Sequence, residues 1–242
     1  MKVVIPAAGL GSRFAGVNFG VPKELLPLGG VPVIGHALAE SARAGFEAAI
    51  VVVSPAKPQL REFLADNRSP LPVEIVVQPQ ALGIGDAVLR GWQGEPVAVL
   101  LPDDVVLGTE HWTSLLELHR KDGAAALCVR AVPFEETSRF GIADCDGDRV
   151  IGLVEKPPPG TSNSNLAIFG RYVVTAAVMA GLRGLPVEGE LQLTDGFAAA
   201  ISAPPGVRAV RFGGEIYDCG TPAAYAASTA RFSASASAEQ PL

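Results

Sequence analysis

The chain has little cysteine, and its few cysteines exclude two classes of protein. Its 242 residues include three, Cys128, Cys145 and Cys219, which are far apart and form no Cys-x-x-Cys pair. We therefore expect neither a zinc site nor a framework of disulfides. Free thiols are typical of a reducing compartment, and we expect a cytoplasmic protein.

Long hydrophobic runs and basic clusters are missing as well. The apolar run from Val3 to Ala8 is too short for a signal peptide, and Arg13 follows it closely. No stretch approaches the length of a transmembrane helix, so no membrane partner is expected. Charged residues make up 18% of the chain, the formal net charge is -6 and no long basic run occurs. Because surfaces that bind nucleic acid are usually basic, a nucleic-acid partner is not expected either.

The N-terminal half contains a regular alternation of apolar runs and helical patterns. Helical spacing of apolar residues predicts helices over Ile34–Ala44, Pro58–Asn67 and Asp86–Trp92. Short, near-continuous apolar runs predict strands at Val3–Ala7, Ala49–Val53, Val73–Val77 and Val97–Leu101. Buried strands that alternate with helices indicate a Rossmann-like, three-layer α/β fold, with a mixed, mostly parallel sheet and helices on both faces. Ligands of such sheets bind beyond the carboxyl ends of the strands.

The second half has a more mixed pattern. Strands are predicted at Ala124–Val132, Gly141–Asp144, Val150–Val154 and Leu166–Val174, and a helix over Gln192–Ile201. A hairpin around Gly213-Gly214 would join strands Val207–Phe212 and Glu215–Asp218. Because no clear linker occurs, we expect one domain over residues 1–232, whose two halves meet at about residues 123 and 124. The Ser/Ala-rich tail over residues 233–242 is predicted to be disordered.

A glycine-rich turn follows the first predicted strand. Small residues let the backbone approach a phosphate closely and direct N–H groups at it; here they are Ala7, Ala8, Gly9, Gly11 and Ser12. Arg13 adds a planar cation suited to phosphate oxygens, and Lys23 follows in a proline-flanked loop. A dinucleotide fingerprint is disfavoured, because Phe14 stands where its third glycine belongs.

Several polar residues allow two interpretations when each is considered alone. Asp103 and Asp104 follow a buried strand, where they could cap a helix or hold Mg²⁺, which prefers one or two carboxylates together with phosphate oxygens. Glu155-Lys156 could be an exposed charge pair, and Gln78 an ordinary residue at the end of a strand. Three histidines lack partners at ligand spacing and are interpreted as structural: His36, His111 and His119.

A series of short motifs runs along the chain from the first strand to about residue 220. In order they are Gly9-x-Gly-x-Arg13, Pro22-Lys-Glu-x-Leu-Pro27, Gly83-Ile-Gly-Asp-Ala87, Leu101-Pro-Asp-Asp104, Val154-Glu-Lys-Pro157, Ser164-Asn-Leu-Ala167, Gly189-Glu-Leu-Gln-Leu-Thr-Asp195 and Tyr217-Asp-Cys-Gly220. This ordered series resembles that of bacterial UTP–glucose-1-phosphate uridylyltransferases. A single motif could arise by chance, whereas the whole series in family order is highly specific.

The resemblance implies nucleotidyl transfer. An oxygen of a sugar 1-phosphate would attack the α-phosphorus of a nucleoside triphosphate, and pyrophosphate would leave. The expected substrates are UTP and glucose 1-phosphate, and the product is UDP-glucose. No general base is needed, because the second pKa of a phosphate is about 6 and the nucleophile is already mostly ionised. Positioning and charge neutralisation by Mg²⁺, lysine and arginine would then provide the catalysis.

The same resemblance implies roles for single residues. The expected catalytic residues are Arg13, Lys23 and Asp103. The nucleotide would bind in the first half to Ala7, Ala8, Gly9, Gly11, Ser12, Arg13, Lys23, Gln78, Gly83 and Asp103. The sugar phosphate would bind in the second half to Gly141, Glu155, Lys156 and Asn165, and the metal ion Mg²⁺ to Asp103 and Asp218.

The chemistry of the side chains supports the assignments of Gln78 and of the Glu155-Lys156 pair. The amide of Gln78 offers both a donor and an acceptor to the edge of a uracil. Adjacent residues of a strand point to opposite faces, so Glu155 and Lys156 can serve one ligand only if the strand ends or twists there. Pro157-Pro158-Pro159 predicts such an ending.

Departures from the family leave alternatives open. Asp86 replaces a histidine, and the segment between Asn67 and Val73 is much shorter than usual. We expect a homo-oligomer, although the short segment could remove a subunit contact. The same chemistry could use dTTP or another nucleotide with a modified sugar phosphate, or the protein could be a catalytically silent nucleotide-sugar sensor. An NAD-dependent dehydrogenase is disfavoured by the missing third glycine.

Overall fold

Nine strands form one sheet to which both halves of the chain contribute. A computed structural model describes residues 1–14, 16, 18, 20–66, 69–185 and 189–238, with side chains up to residue 234. The strands of this sheet are β1 (Val3–Ala7), β4 (Ala49–Val53), β5 (Val73–Val77), β6 (Val97–Leu100), β8 (Ala125–Ala131), β9 (Gly141–Asp146), β10 (Arg149–Glu155), β11 (Leu166–Val174) and β12 (Val207–Arg211). Two small sheets pair β2 (Pro27–Leu28) with β3 (Val31–Pro32), and β7 (Asp104–Val105) with β13 (Tyr217–Asp218).

The order of strands across the large sheet is β5-β4-β1-β6-β11-β8-β12-β10-β9. The first four pair in parallel, as does β8 with β12, and the remaining neighbours are antiparallel. Parallel neighbours need long crossover connections, which the helices of the N-terminal half provide. The predicted mixed α/β sheet is therefore confirmed, with its parallel part mainly in that half.

Helices cover both faces of this sheet. They are α1 (Val33–Arg43), α2 (Pro58–Ala65), α3 (Gly83–Gly91), α4 (Glu110–Asp122), α5 (Ala176–Arg183), α6 (Leu193–Ala200) and α7 (Pro222–Ala238). Val4 of β1 is buried with apolar residues of α3, α5 and α6, whereas Val3 and Ile5 are buried with those of α1, α2 and α4. Because successive side chains of a strand point to opposite faces, β1 contributes to two cores. The predicted three-layer arrangement is thus confirmed.

The hairpin predicted around Gly213-Gly214 is wrong. Strand β12 lies inside the large sheet between β8 and β10, whereas β13 pairs with β7. The two strands separate because their side chains join different cores. Val207 and Ala209 are buried in the main core, while Tyr217 and Cys219 pack in a small cluster with Tyr225 and Phe232 of α7.

The disordered tail predicted from residue 233 also differs from the structure. Helix α7 continues to Ala238, and residues 239–242 lie outside the described ranges. Phe232 packs its ring 5.1 Å from that of Tyr217, which anchors the helix just before the tail. Alanine has the highest helix propensity, and extending an existing helix costs much less than starting one. The predicted end of the second helix at Asn67 likewise lies outside the described ranges, and α2 ends at Ala65.

The histidines and cysteines take part in the packing of the fold. His36 and His119 each bond a backbone carbonyl, and His111 bonds Glu40 in the core, which confirms their structural interpretation. Cys128 and Cys219 are buried, Cys145 is partly exposed, and all three are free thiols. Within the described ranges, no helix combines the length and the apolar character that crossing a membrane would require.

Candidate active site

Two adjoining cavities lie at the carboxyl ends of β1 and β6. We call the first, of about 370 Å³, the turn cavity, because the glycine-rich turn forms one wall. We call the second, of about 500 Å³, the strand cavity, because residues of β9, β10 and β11 line it. Residues that line both are Arg13, Ile84, Leu101, Asp103, Lys156 and Gln192. The cavities therefore form one cleft with a charged boundary.

Most of the predicted nucleotide-binding residues line the turn cavity. They are Ala8, Gly9, Ser12, Arg13, Lys23, Gln78, Gly83 and Asp103. Ala7 and Gly11 are not among its lining residues. The carbonyl of Ala7 accepts a hydrogen bond from Lys57, and that of Gly11 accepts one from the backbone N–H of Phe14. With φ of +66°, Gly11 adopts the left-handed conformation that favours glycine, so it shapes the turn.

Gly83 has a packing function that its sequence position did not reveal. A Cβ atom at this position would lie 2.5 Å from the backbone oxygen of Leu191. Only glycine permits so close an approach. The N-terminus of α3 is thereby packed directly on the segment that carries Glu190 and Gln192, both of which line the turn cavity.

A buried ion pair anchors the loop that carries Lys23. Lys57 Nζ donates to both carboxylate oxygens of Glu24 at 2.8 Å and to the carbonyl of Ala7 at 3.0 Å. Burial lowers the pKa of Lys57 below its usual value, although the Glu24 carboxylate opposes this. The pair joins the Lys23 loop to the end of β1. Sequence reasoning missed it; the only indication was a lysine next to Pro58, shortly after a buried strand.

Lys23 and Asp103 form an ion pair across the turn cavity. Lys23 Nζ donates to Asp103 Oδ2 at 2.6 Å. Burial disfavours the charged form of each, but their mutual attraction outweighs it. The pKa of Lys23 is therefore above its usual value and that of Asp103 below its usual value. Both side chains are thus charged at neutral pH, as the catalytic roles expected from the sequence would require.

Three carboxylates lie close together where the cavities adjoin: Asp103 lines both, whereas Asp104 and Asp218 line the strand cavity. Asp218 of β13 stands opposite Asp104 of β7, and Asp103 directly precedes Asp104. Burial, together with the charges of Asp103 and Asp218, raises the pKa of Asp104 to about 6. A Cβ atom on Gly220 would lie 3.2 Å from Asp218 Oδ1 and 3.3 Å from Asp103 Oδ2, so these two oxygens border a common space.

This donor set fits a hard divalent cation. Carboxylate oxygens are what Mg²⁺ prefers, and a cation held by Asp103 and Asp218 would relieve the repulsion between these two acids. In the part of the chain that the structure describes, no group of three or more His, Cys, Asp or Glu residues is arranged around a metal position. A cation here would therefore take its remaining ligands from phosphate oxygens and water, as Mg²⁺ commonly does.

A buried arginine holds the backbone of the loop that carries Asp103 and Asp104. Arg171 donates to both oxygens of Glu40 at 2.6 Å, and to the backbone carbonyls of Leu101 at 3.2 Å and Asp104 at 2.6 Å. Arg171 is fully buried and Glu40 almost so. The two carbonyls flank Asp103, so the guanidinium fixes the backbone that presents it. Sequence reasoning missed both Arg171 and Glu40, since nothing local marks either residue.

Three of the four predicted sugar-side residues line the strand cavity: Gly141, Glu155 and Lys156. β10 ends at Glu155, and Lys156 has φ of +44°, which turns both side chains toward one cavity as the proline run predicted. Thr194, which was missed, donates its hydroxyl to Glu155 Oε2 at 2.7 Å. A Cβ atom on Gly141 would lie only 2.9 Å from the same oxygen, so glycine leaves room for the carboxylate.

Asn165 is not among the residues that line either cavity. Its amide nitrogen donates to the carbonyl of Val132 at 2.9 Å, and its backbone carbonyl accepts from the N–H of Val132. The side chain thus extends the pairing of β8 and β11 beyond their ends. The structure does not bring Asn165 together with Glu155 and Lys156.

Fold and site define an α/β protein with cations and a carboxylate cluster at the ends of its parallel strands. The family described as Nucleotidyl transferase matches residues 2–234. The chain belongs to this family, whose members generally use a divalent metal ion. It is 35% identical to the UTP–glucose-1-phosphate uridylyltransferase of Bacillus subtilis over 96% of this chain and 90% of the relative.

Solved structures of similar proteins agree with this assignment. A UDP-glucose pyrophosphorylase complexed with UDP-glucose is 28% identical, with a TM-score of 0.86 over 97% of this chain and 98% of that one. The UTP-bound UGPase from Acinetobacter baumannii is 30% identical, with a TM-score of 0.81 over 96% of this chain and 92% of that one. The similarity therefore extends along nearly the whole length of each protein.

Proposed function

We propose that the protein transfers a uridylyl group from UTP to glucose 1-phosphate, forming UDP-glucose and pyrophosphate. The observation that carries this proposal is the charged boundary shared by the two cavities. Arg13, Asp103 and Lys156 line both, so two phosphate-bearing substrates could meet there. The names of the relatives support the choice of substrates: one is a UTP–glucose-1-phosphate uridylyltransferase, and two solved structures hold UDP-glucose and UTP.

The turn cavity is the proposed UTP site. Backbone N–H groups of the glycine-rich turn and the guanidinium of Arg13 would hold the phosphates. Lys23 would shift its pairing from Asp103 to the triphosphate and stabilise the charge that accumulates on the leaving pyrophosphate. Because Lys23 already lies in the cavity with its loop anchored by Lys57, little reorganisation would be needed.

The carboxylates at the boundary are the proposed metal site. Asp103 and Asp218 would hold Mg²⁺, which when bound neutralises phosphate charge and makes the α-phosphorus easier to attack. Asp103 would exchange its pairing with Lys23 for the metal ion. The backbone contacts of Arg171 would keep the Asp103 carboxylate in place during this exchange.

The strand cavity is the proposed site for glucose 1-phosphate. Lys156 is a compact cation suited to the 1-phosphate dianion. Glu155 can accept hydrogen bonds from two neighbouring sugar hydroxyls, and Thr194 fixes one of its oxygens. Gly141 leaves space beside that carboxylate. The homo-oligomer and the cytoplasmic location stay predictions, and light scattering of the purified protein would test the first.

A matrix of nucleotides and sugar 1-phosphates tests the proposed reaction. Purified protein would be incubated with Mg²⁺ and each pair, with pyrophosphate release followed continuously and products identified by mass spectrometry. We expect the highest turnover with UTP and glucose 1-phosphate. Higher turnover with dTTP or another sugar phosphate would move the protein to that alternative. Nucleotide binding without pyrophosphate release from any pair would favour the silent sensor.

A further inference from the structure

Gln78 is held in one orientation by groups that lie behind it, as seen from the turn cavity. Its amide nitrogen Nε2 donates to Asp86 Oδ2 at 2.8 Å and to the backbone carbonyl of Gly83 at 3.1 Å. A carboxylate and a carbonyl can only accept hydrogen bonds. The amide nitrogen must therefore face these two partners, and the amide oxygen must face away from them.

Asp86 is itself fixed by a neighbour on α3. Arg90 Nε donates to the same oxygen, Oδ2, at 2.7 Å, one helical turn further along. The lining of the turn cavity includes Gln78 and Ala87 but not Asp86. The carboxylate of Asp86 does not line that cavity, so it would act on a ligand there through Gln78.

The amide oxygen of Gln78 is left for a ligand. It accepts no hydrogen bond from the part of the chain that the structure describes, yet it is not among the buried polar atoms that lack a partner. Since Gln78 lines the turn cavity, this oxygen is accessible from it. Toward the cavity, Gln78 presents a hydrogen-bond acceptor and no donor. The expectation that its amide offers a uracil both a donor and an acceptor is therefore wrong in its donor half.

We propose that Asp86 makes Gln78 a dedicated acceptor and thereby selects nucleotides whose base carries an N–H at its pairing edge. This inference rests on the proposed function, because the base must enter the turn cavity. Uracil and thymine carry such a donor at N3, whereas N3 of cytosine is itself an acceptor. An amide free to rotate by 180° could serve either base. A fixed amide would place its oxygen against N3 of cytosine and reject it.

Binding by the wild-type protein gives the first test. Dissociation constants for UTP, CTP and N3-methyl-UTP would be measured by calorimetry without sugar phosphate, so that chemistry does not contribute. A base without the N–H donor leaves the amide oxygen of Gln78 unpaired, and the loss of one such hydrogen bond lowers affinity by about tenfold. We expect UTP to bind at least about tenfold more tightly than CTP or the methylated analogue. Equal binding of UTP and N3-methyl-UTP would overturn the inference.

Two substitutions at Asp86 separate orientation from charge. Asp86→Asn keeps an oxygen for Arg90 and Gln78 but removes the negative charge, so the preference for UTP should persist. Asp86→Ala releases the amide of Gln78, so the ratio of CTP to UTP dissociation constants should fall by about tenfold. Glu110→Ala, which removes a first-turn acid from α4, controls for a general effect on helix stability.

The outcomes distinguish this inference from the proposed function. If Asp86→Ala keeps the preference, or if Asp86→Asn loses it equally, orientation by Asp86 is wrong while pyrophosphate release by the wild-type protein can still stand. If the wild-type protein neither binds UTP nor releases pyrophosphate, the proposed function fails and this inference with it. Should Asp86→Ala not fold, the methylated nucleotide and Asp86→Asn still decide.

Discussion

The turn cavity and the strand cavity differ in how their charged side chains are held. In the turn cavity, Lys23 pairs with Asp103 at 2.6 Å, and its loop is tied down by a Glu24–Lys57 pair whose side chains are only 2% and 7% exposed. In the strand cavity, the contact between Lys156 and Glu155 is 3.3 Å, and the Lys156 side chain is 52% exposed. The first cavity has its charges in place before a ligand arrives, whereas the second can adjust.

At the boundary between the two cavities, the charged groups are held in place even more firmly than in the turn cavity. The buried Arg171–Glu40 pair fixes the backbone on both sides of Asp103. Electrostatic catalysis depends on charges that need no reorganisation during the reaction. We therefore expect substitutions to cost most at the buried Arg171–Glu40 pair, less at the charged groups around Asp103, and least at the exposed end of β10.

The largest effect is expected for Arg171→Met. It would take the guanidinium away from the buried Glu40 carboxylate, to which only His111 and Trp112 would still bond among the described residues, and the carbonyls of Leu101 and Asp104 would lose a donor. Breaking a buried ion pair in this way typically costs about 3–5 kcal/mol in the free energy of unfolding. Denaturant titration measures this. Arg208→Met, which breaks a partly exposed pair with Asp122, is the control and should cost at most about 1 kcal/mol. The double variant Glu40→Leu/Arg171→Met should recover part of the loss. An Arg171→Met protein as stable as the control would show that the pair does not hold the boundary.

Lys23→Ala should have the next largest effect, on turnover rather than on stability. Removing one charge-assisted contact to the transferring group costs a few kcal/mol, so we expect about a hundredfold or greater loss in turnover. Lys2→Ala, an exposed lysine bonded to Gln93, serves as the control and should leave turnover unchanged. Near-normal turnover of a folded Lys23→Ala protein would remove Lys23 from the mechanism.

The metal site predicts a shift in Mg²⁺ dependence. Loss of even an outer partner of a metal ligand typically lowers metal affinity by about 10–100-fold, so Asp103→Asn and Asp218→Asn should each need at least about tenfold more Mg²⁺ for half-maximal activity. Asp122→Asn, distant from the cleft, should titrate like the wild-type protein. If both cleft variants also titrate like the wild-type protein, these two carboxylates do not hold the metal ion.

Elements that depend on local sequence could be predicted, whereas those that depend on contacts with distant parts of the chain could not. The bounds of β1, β4 and β5 match the prediction, because the parallel strands of this sheet are short, mainly apolar runs with turns on either side. β1 and β4 are almost fully buried, whereas β5, at the edge of the sheet, is partly exposed. Helix α4 was not predicted as a helix, because its apolar residues occupy a narrow stripe among many charged ones. The Ala/Ser pattern of α7 lacks a clear apolar face, and the rings of Tyr225 and Phe232 attach the helix to the rest of the fold.

Site residues could be predicted where a short motif follows a strand. Arg13 and Asp103 belong to such motifs, Lys23 belongs to the proline-flanked loop after the glycine-rich turn, and all three line the turn cavity. The ion pairs that hold these residues in place could not be predicted, because their partners are far apart in the sequence. Lys57 is separated from Glu24 by 33 positions, and Arg171 from Glu40 by 131. Nor does the local sequence show that Asn165 bonds a neighbouring strand instead of lining the cavity. Motifs predict which side chains can do the chemistry, whereas the fold decides which of them reach it.

The smallest effects are expected for Glu155 and Lys156 at the end of β10. Their substitutions should change different kinetic properties. Lys156→Ala should raise KM for every sugar 1-phosphate by about tenfold, because all of them share the phosphate. Glu155→Ala should penalise the preferred sugar most and flatten the preference among sugars, because it removes an acceptor for hydroxyls. Kinetics with glucose, galactose and mannose 1-phosphates measure both effects.

Thr194→Val provides the matched control for this last prediction. It keeps the shape of the side chain but removes the hydroxyl that holds Glu155 Oε2, so Glu155 stays present but less well oriented. Its effect should have the same sugar dependence as that of Glu155→Ala, at a smaller size. If Glu155→Ala affected all three sugars equally and Lys156→Ala affected none, the sugar phosphate would bind elsewhere. The strand cavity would then have a different function from the one proposed.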